Sequence, residues 1–142
     1  MDVSLVIKHK RTTIAAAAVA TLRATPVTLV PAPGSGKLLE LVSGILRIVY
    51  TAPAYTESTD NLVVRYTDGS GVVVSQTIEM TSFITLTADN ITSIKPVVDG
   101  IVTSAASLNK ALVLHNSGDG EFGNSGGSLL DVWIGYRVWK VS

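Results

Sequence analysis

Residues 129 to 141 read LLDVWIGYRVWKV, in which Leu130, Val132, Ile134, Tyr136 and Val138 alternate with Asp131, Trp133, Gly135, Arg137 and Trp139. A period of two is the signature of an extended strand with one apolar face. A strand of that length needs neighbours on both edges and a sheet beneath it. At the other end of the chain, Val3, Leu5 and Ile7 alternate with Asp2, Ser4 and Val6 and predict a first strand over residues 2 to 9, ended by the basic cluster Lys8, His9, Lys10, Arg11. Residues 13 to 22 are rich in alanine, and the spacing of Ile14, Ala18 and Leu22 predicts one or two helical turns with Thr12 or Thr13 as N-cap.

Between these ends the pattern is of short β runs. Pro26 forces an extended entry into a strand over 27 to 30, and PAPGSGK is a Pro/Gly turn. Residues 37 to 50 are almost continuously apolar, which predicts a central strand buried on two sides or against a neighbouring subunit, with a bulge at Ser43 and Gly44. Residues 62 to 67 and 72 to 78 flank Asp68, Gly69, Ser70 and Gly71, a hairpin in which Asp-Gly supplies positive φ angles. A helical turn is expected near residues 79 to 83, an edge strand over 91 to 97 with Pro96 near its end, a turn at Asp99 and Gly100, and a compact strand over 110 to 115. Residues 115 to 128, HNSGDGEFGNSGGS, form a long loop before the final strand. The sum is about eight strands at turn-punctuated intervals: an all-β chain, an antiparallel β-sandwich of jelly-roll type with one short N-terminal helix.

Composition narrows what such a sandwich can do. At 142 residues the chain is expected to be a single domain, residues 1 to 142, with 1 to 23 as an N-terminal strand and helix available as a contact arm. Charged residues are 15% of it while the hydrophobic share is 46%, against about 25% charged in an average globular protein. A surface so short of charge predicts that a partner covers part of it. Eleven basic and eleven acidic residues balance, so nucleic acid is not an expected partner. With no cysteine there is neither a disulfide nor a thiolate metal site, and no cofactor is expected. No apolar run approaches the roughly twenty residues of a spanning helix, so no membrane partner is expected. The basic cluster followed by TTIAAAAVATL imitates a secretory signal, but the stretch before it is itself strand-like, and the segment is read as mature protein.

Few residues suggest chemistry. Gly34-Ser35-Gly36-Lys37 imitates a phosphate loop, yet Pro31 stands where its first glycine belongs and Leu38 where a magnesium-binding hydroxyl belongs. His115, Asp119 and Glu121 share the long loop with Phe122, but proximity on a glycine-rich loop provides no oriented nucleophile and base, so no catalytic residue is assigned. A contact surface is the alternative use of such a loop. Trp133, Arg137 and Trp139 lie on the face opposite the apolar row; these are residue types enriched at interface hot spots, and either an intersubunit contact or coverage by this same chain accounts for them.

Three stretches, ATPVTLVPAPGSGKLLEL from Ala24, NLVVRYTDGSGVVVSQTIE from Asn61 and ALVLHNSGDGEFGNSGG from Ala111, followed by a closing strand with Tyr136-Arg137-Val138, resemble small virion proteins of tailed bacteriophages, of the capsid cement or decoration type. The resemblance implies a non-enzymatic β-sandwich that binds the major capsid protein on the outside of the virion, after assembly in the host cytoplasm, and stabilises the shell by bridging its subunits. It further implies a homo-oligomer, trimer or dimer, formed through Trp133, Arg137 and Trp139. Capsid contact would then fall to Val3, Leu5, Lys8, Lys10 and Arg11 at the N-terminus and to His115, Asp119, Glu121 and Phe122 in the loop. A tail or head-fibre adaptor, or a receptor-binding sandwich, shares that fold; a hydrolase is a more distant reading.

Overall fold

Alternation translates into paired strands throughout the computed structural model, which describes residues 6–97, 103–124 and 127–142. In chain order the elements are β1 (Lys8–Ile14), the one-turn helix α1 (Ala16–Val19), β2 (Val27–Val30), β3 (Lys37–Val49), β4 (Leu62–Tyr66), β5 (Asn90–Ile94), a second one-turn helix α2 (Ser104–Ser107), β6 (Leu112–Asn116) and β7 (Leu129–Lys140). One sheet has the order β1-β7-β3-β5 and the other β2-β6-β4, all pairs antiparallel. Residues 72–78 run beside β4 as an irregular eighth length, through the bridges Leu62↔Ile78 and Arg65↔Val73. A four-stranded layer facing a three-stranded one, the latter extended by this irregular length, forms the jelly-roll-like sandwich that the strand spacing predicts.

The final strand has the two neighbours its length requires. β7 pairs with β1 along one edge and with the whole of β3 along the other. Leu130, Val132 and Ile134 point inward and are buried with Leu46 and Ile48 of β3. From the opposite sheet Leu62, Val64, Leu112 and Leu114 complete the same core. Tyr66 ties the two layers together, donating its hydroxyl to the Leu39 carbonyl at 2.6 Å. Burial, with Glu40 nearby, pushes that phenol up to about 12.

β3 shows why a bulge is needed. Its inward residues are Leu39 and Leu41, then Leu46 and Ile48, so the apolar phase slips from odd to even numbers. The register against β7 shifts between Leu41 and Ser43. The extra residue is therefore Val42, one place before the expected Ser43 and Gly44, and it keeps both halves of the strand facing the core. Gly44 answers a different demand, since a Cβ there would lie 2.7 Å from the Trp133 carbonyl oxygen. β3 is central in its sheet, as expected, but it is buried on one face; on the other, Ile45 is 45% exposed.

Three local expectations are corrected. The first strand does not end at the basic cluster as expected but is found over Lys8–Ile14: the cluster is inside it, because an edge strand pairs its backbone while its charged side chains reach water. Val3 and Leu5 lie outside the described residues, as does the turn expected at Asp99 and Gly100. The helix shrinks to α1, capped by Ala15 without a side-chain bond, since Thr12 and Thr13 are spent in β1. In the hairpin after β4 the positive φ falls on Thr67, at 69°. Asp68 instead accepts the Ser70 N–H, and Gly71 lets the chain pass against the Tyr66 carbonyl, which any Cβ would strike. The helix α2, capped by Thr103, was not anticipated; Ser-Ala-Ala-Ser has no apolar period to announce it.

Candidate interaction surfaces

The outer face of the β1-β7-β3-β5 sheet carries the aromatic and basic residues of β7. Register places Arg11, Trp133, Ile45 and Ser93 in one row across four strands, and Thr13, Asp131, Arg47 and Ile91 in the next. Ile45 and Ile91 are 45% and 62% exposed, and Trp133 beside them is half-buried. Residues on adjacent strands one pair apart lie within reach of large side chains, so Trp133, Ile45 and Ile91 form one apolar patch. Ile45 and Ile91 are the surface residues that sequence reasoning missed. The signal existed in the phase slip of β3: once Leu46 and Ile48 point inward, Ile45 must point out.

Ion pairs frame the patch. Arg11 reaches over the Trp133 ring, 5.1 Å from its centroid, while donating to Asp131 at 2.9 Å. Asp131 is only 2% exposed and also takes the Thr13 hydroxyl at 2.6 Å. Burial alone would raise its carboxyl, but the bonds from Thr13 and Arg11 outweigh it and hold the group below the usual carboxylate range. Arg47 pairs with Asp89 at 3.1 Å. At the far end Glu40 accepts from Arg137 at 3.2 Å and from the Trp139 indole N–H at 2.8 Å. The two tryptophans and Arg137 thus share one face, as the alternation requires, and each is partly covered by side chains of its own strand neighbours.

The loop residues do not form one site. His115 is not in the loop at all; it ends the outward row of β6, 7% exposed, beside Arg65 of β4. Arg65 donates from Nε to His115 Nδ1 at 3.0 Å, which puts the imidazole proton on Nε2. Burial, with Arg65 adding, holds that imidazole below its ordinary range. Glu121 caps the chain after α1, taking the N–H groups of Arg23 and Ala24 at 2.7 and 2.9 Å. Phe122 is buried, tilted against Tyr55 with ring centroids 6.4 Å apart. It is a core residue and presents no contact surface. Asp119 is exposed. Lys8, Lys10 and Arg11 are exposed on β1, the edge strand of their sheet.

Among the described residues no three His, Asp or Glu side chains lie close enough to hold a metal ion, and no helix is long and apolar enough to cross a membrane. Among the described residues the sandwich interior is filled by aliphatic and aromatic side chains.

No protein-family model and no curated protein matches the chain. Among solved structures, the capsid of Ralstonia phage GP4 is similar over 96% of this chain and 87% of that one, at 12% identity and a TM-score of 0.44. A chain of the Nora virus structure is similar over 99% of this chain, at 12% identity and a TM-score of 0.37; this chain spans 59% of its length. Likenesses this distant identify no family and transfer no residue role.

Proposed function

We propose that the protein is a structural component of a viral particle, a decoration or cement protein that binds the outside of a phage capsid and stabilises it by bridging subunits. The observation that carries this reading is the outer face of the β1-β7-β3-β5 sheet, where Trp133, Ile45 and Ile91 lie together on a rigid surface framed by internally neutralised ion pairs. A patch of that kind costs free energy in water and regains it only against a partner. The described residues offer binding surface, and the sequence resemblance to phage cement proteins points in the same direction. Both structural likenesses are to viral particles, but the proposal rests on this chain's own surface.

The mechanism is linkage. A protein that binds only the assembled shell stabilises it by mass action, and bridging two subunits raises the effective concentration of the second contact. In this scheme the Trp133, Arg137 and Trp139 face makes the homo-oligomer, and the exposed basic edge Lys8, Lys10 and Arg11, with Asp119 on the loop, meets the major capsid protein. Sedimentation of the purified protein, followed by co-sedimentation with shells assembled without it, tests the scheme. A dimer or trimer that pellets with expanded shells and raises their melting temperature supports it. An unchanged oligomer mass in the Trp133→Ala, Trp139→Ala double variant removes the interface assignment. A protein that ignores shells but binds a glycan array belongs instead to a tail or fibre adaptor.

A further inference from the structure

On the opposite sheet, outside the patch described above, a cleft of about 510 Å³ opens between the segment after α1, the turn after β4 and the end of β6. Arg23, Arg65, His115, Asp68, Ser70 and Ser117 are among the residues that line it. Arg65 is clamped: Nε donates to His115 at 3.0 Å and Nη1 to the Gly71 carbonyl at 3.0 Å, which fixes the guanidinium plane and leaves its remaining N–H groups for the cleft. The turn comes close enough to hold this arrangement because residue 69 is glycine; a Cβ there would sit 2.7 Å from His115 Nε2. Arg23 and Arg65 both line this one cleft.

Neither arginine has a carboxylate within ion-pair distance among the described residues, where the pairs are Arg11–Asp131, Arg47–Asp89 and Arg137–Glu40. Two carboxylates lie nearby, that of Asp68 among the residues lining the cleft. Glu121 spends both oxygens on the N–H groups of Arg23 and Ala24, and Asp68 gives one to Ser70 at 2.8 Å. Two guanidinium groups with no ion pair of their own, one of them fixed by two hydrogen bonds beside a buried imidazole, outnumber the single Asp68 carboxylate lining the cleft and match the two-oxygen edge of an anion. We propose that the cleft between Arg23 and Arg65 is a binding site for an oxyanion, either the carboxylate of an acidic side chain or a phosphoryl group. Arg65 supplies the preorganised fork, Arg23 closes over the anion from the opposite wall, and Ser70 supplies a hydroxyl donor at the rim. The site belongs to this chain whether or not it decorates a capsid.

The test is an NMR titration of the full chain, following the Arg65 Nε–H and His115 ring signals, with glutarate in one series and inorganic phosphate in another. Ionic strength is held constant with sodium chloride. Saturable shifts in either series, weakened at least tenfold by the exposed substitution Arg23→Gln, establish the site; the series that saturates at lower concentration names the source of the oxyanion. Shifts no larger than those of the chloride control in both series overturn the proposal. Saturable shifts that Arg23→Gln leaves unchanged overturn it as well, because the anion is then not held between the two arginines. The Arg23 change touches no core contact, and an unchanged melting temperature verifies that it reads binding.

Discussion

Asp131 is the residue on which the outer sheet face turns. It is solvent-excluded, and its two bonds join β1 to β7 at a point where backbone pairing alone would leave a charge without compensation. Asp131→Ala leaves the Thr13 hydroxyl and Arg11 without a partner and is expected to cost about 1–3 kcal/mol in urea unfolding. The sign of its pH dependence follows from the lowered carboxyl. Its contribution is complete above the unfolded value near 3.8 and disappears as pH falls through the still lower folded value, so wild type and Asp131→Asn should converge in stability only in strong acid. His115 behaves oppositely in range though not in direction. Its imidazole is held below 6.5, so the unfolded chain binds the proton first, and stability should drop as pH is lowered from about 7 towards 5. In His115→Gln that slope should flatten, and denaturant midpoints measured at half-unit pH steps would register it.

At the scale of elements, β3 shows what the sequence could and could not convey. Its existence and length were legible from a run of apolar residues, and β2 and β7 were equally plain from their flanking turns and their period. The position of the bulge was less so, because Ser43 and Gly44 advertise flexibility whereas the phase slip that demands an extra residue is satisfied at Val42. Gly44 is required by contact rather than by conformation, and Gly44→Ala should push β3 from β7 and cost about 1–3 kcal/mol, readable as a shift of the urea midpoint at constant slope. The basic cluster Lys8 to Arg11 misled for a physical reason: charges terminate an apolar pattern but do not terminate an edge strand, whose side chains can leave the sheet. The Arg65–His115 pair was illegible because the two residues are fifty positions apart and meet only through the β4–β6 register. The Trp133, Arg137 and Trp139 face was legible because a single strand carries it.

For the molecule as a whole, the patch is the feature to perturb. Changing Ile45 and Ile91 together to Thr keeps β-branched shape on β3 and β5 while removing apolar surface, so the melting temperature should hold while oligomer mass or shell binding falls; equal losses in both would mean that the patch serves folding alone. The basic stretch of β1 has a further consequence for how such a molecule tolerates crowding. β1 is an outermost strand, and its backbone would serve as a template for the same strand of another copy. Lys8 and Lys10, both exposed and in none of the ion pairs among the described residues, put like charges on that margin, so two such margins repel before their hydrogen bonds can form. Repulsion of this kind reaches about 8 Å at physiological ionic strength but only about 3 Å near 1 M salt. Concentrated salt should therefore convert clear solutions of the protein into open-ended β-stacked chains, earlier still when Lys8 and Lys10 are replaced by Ser. At ordinary ionic strength the same charges restrict the molecule to contacts that close on themselves, and thioflavin fluorescence against salt concentration would chart the crossover.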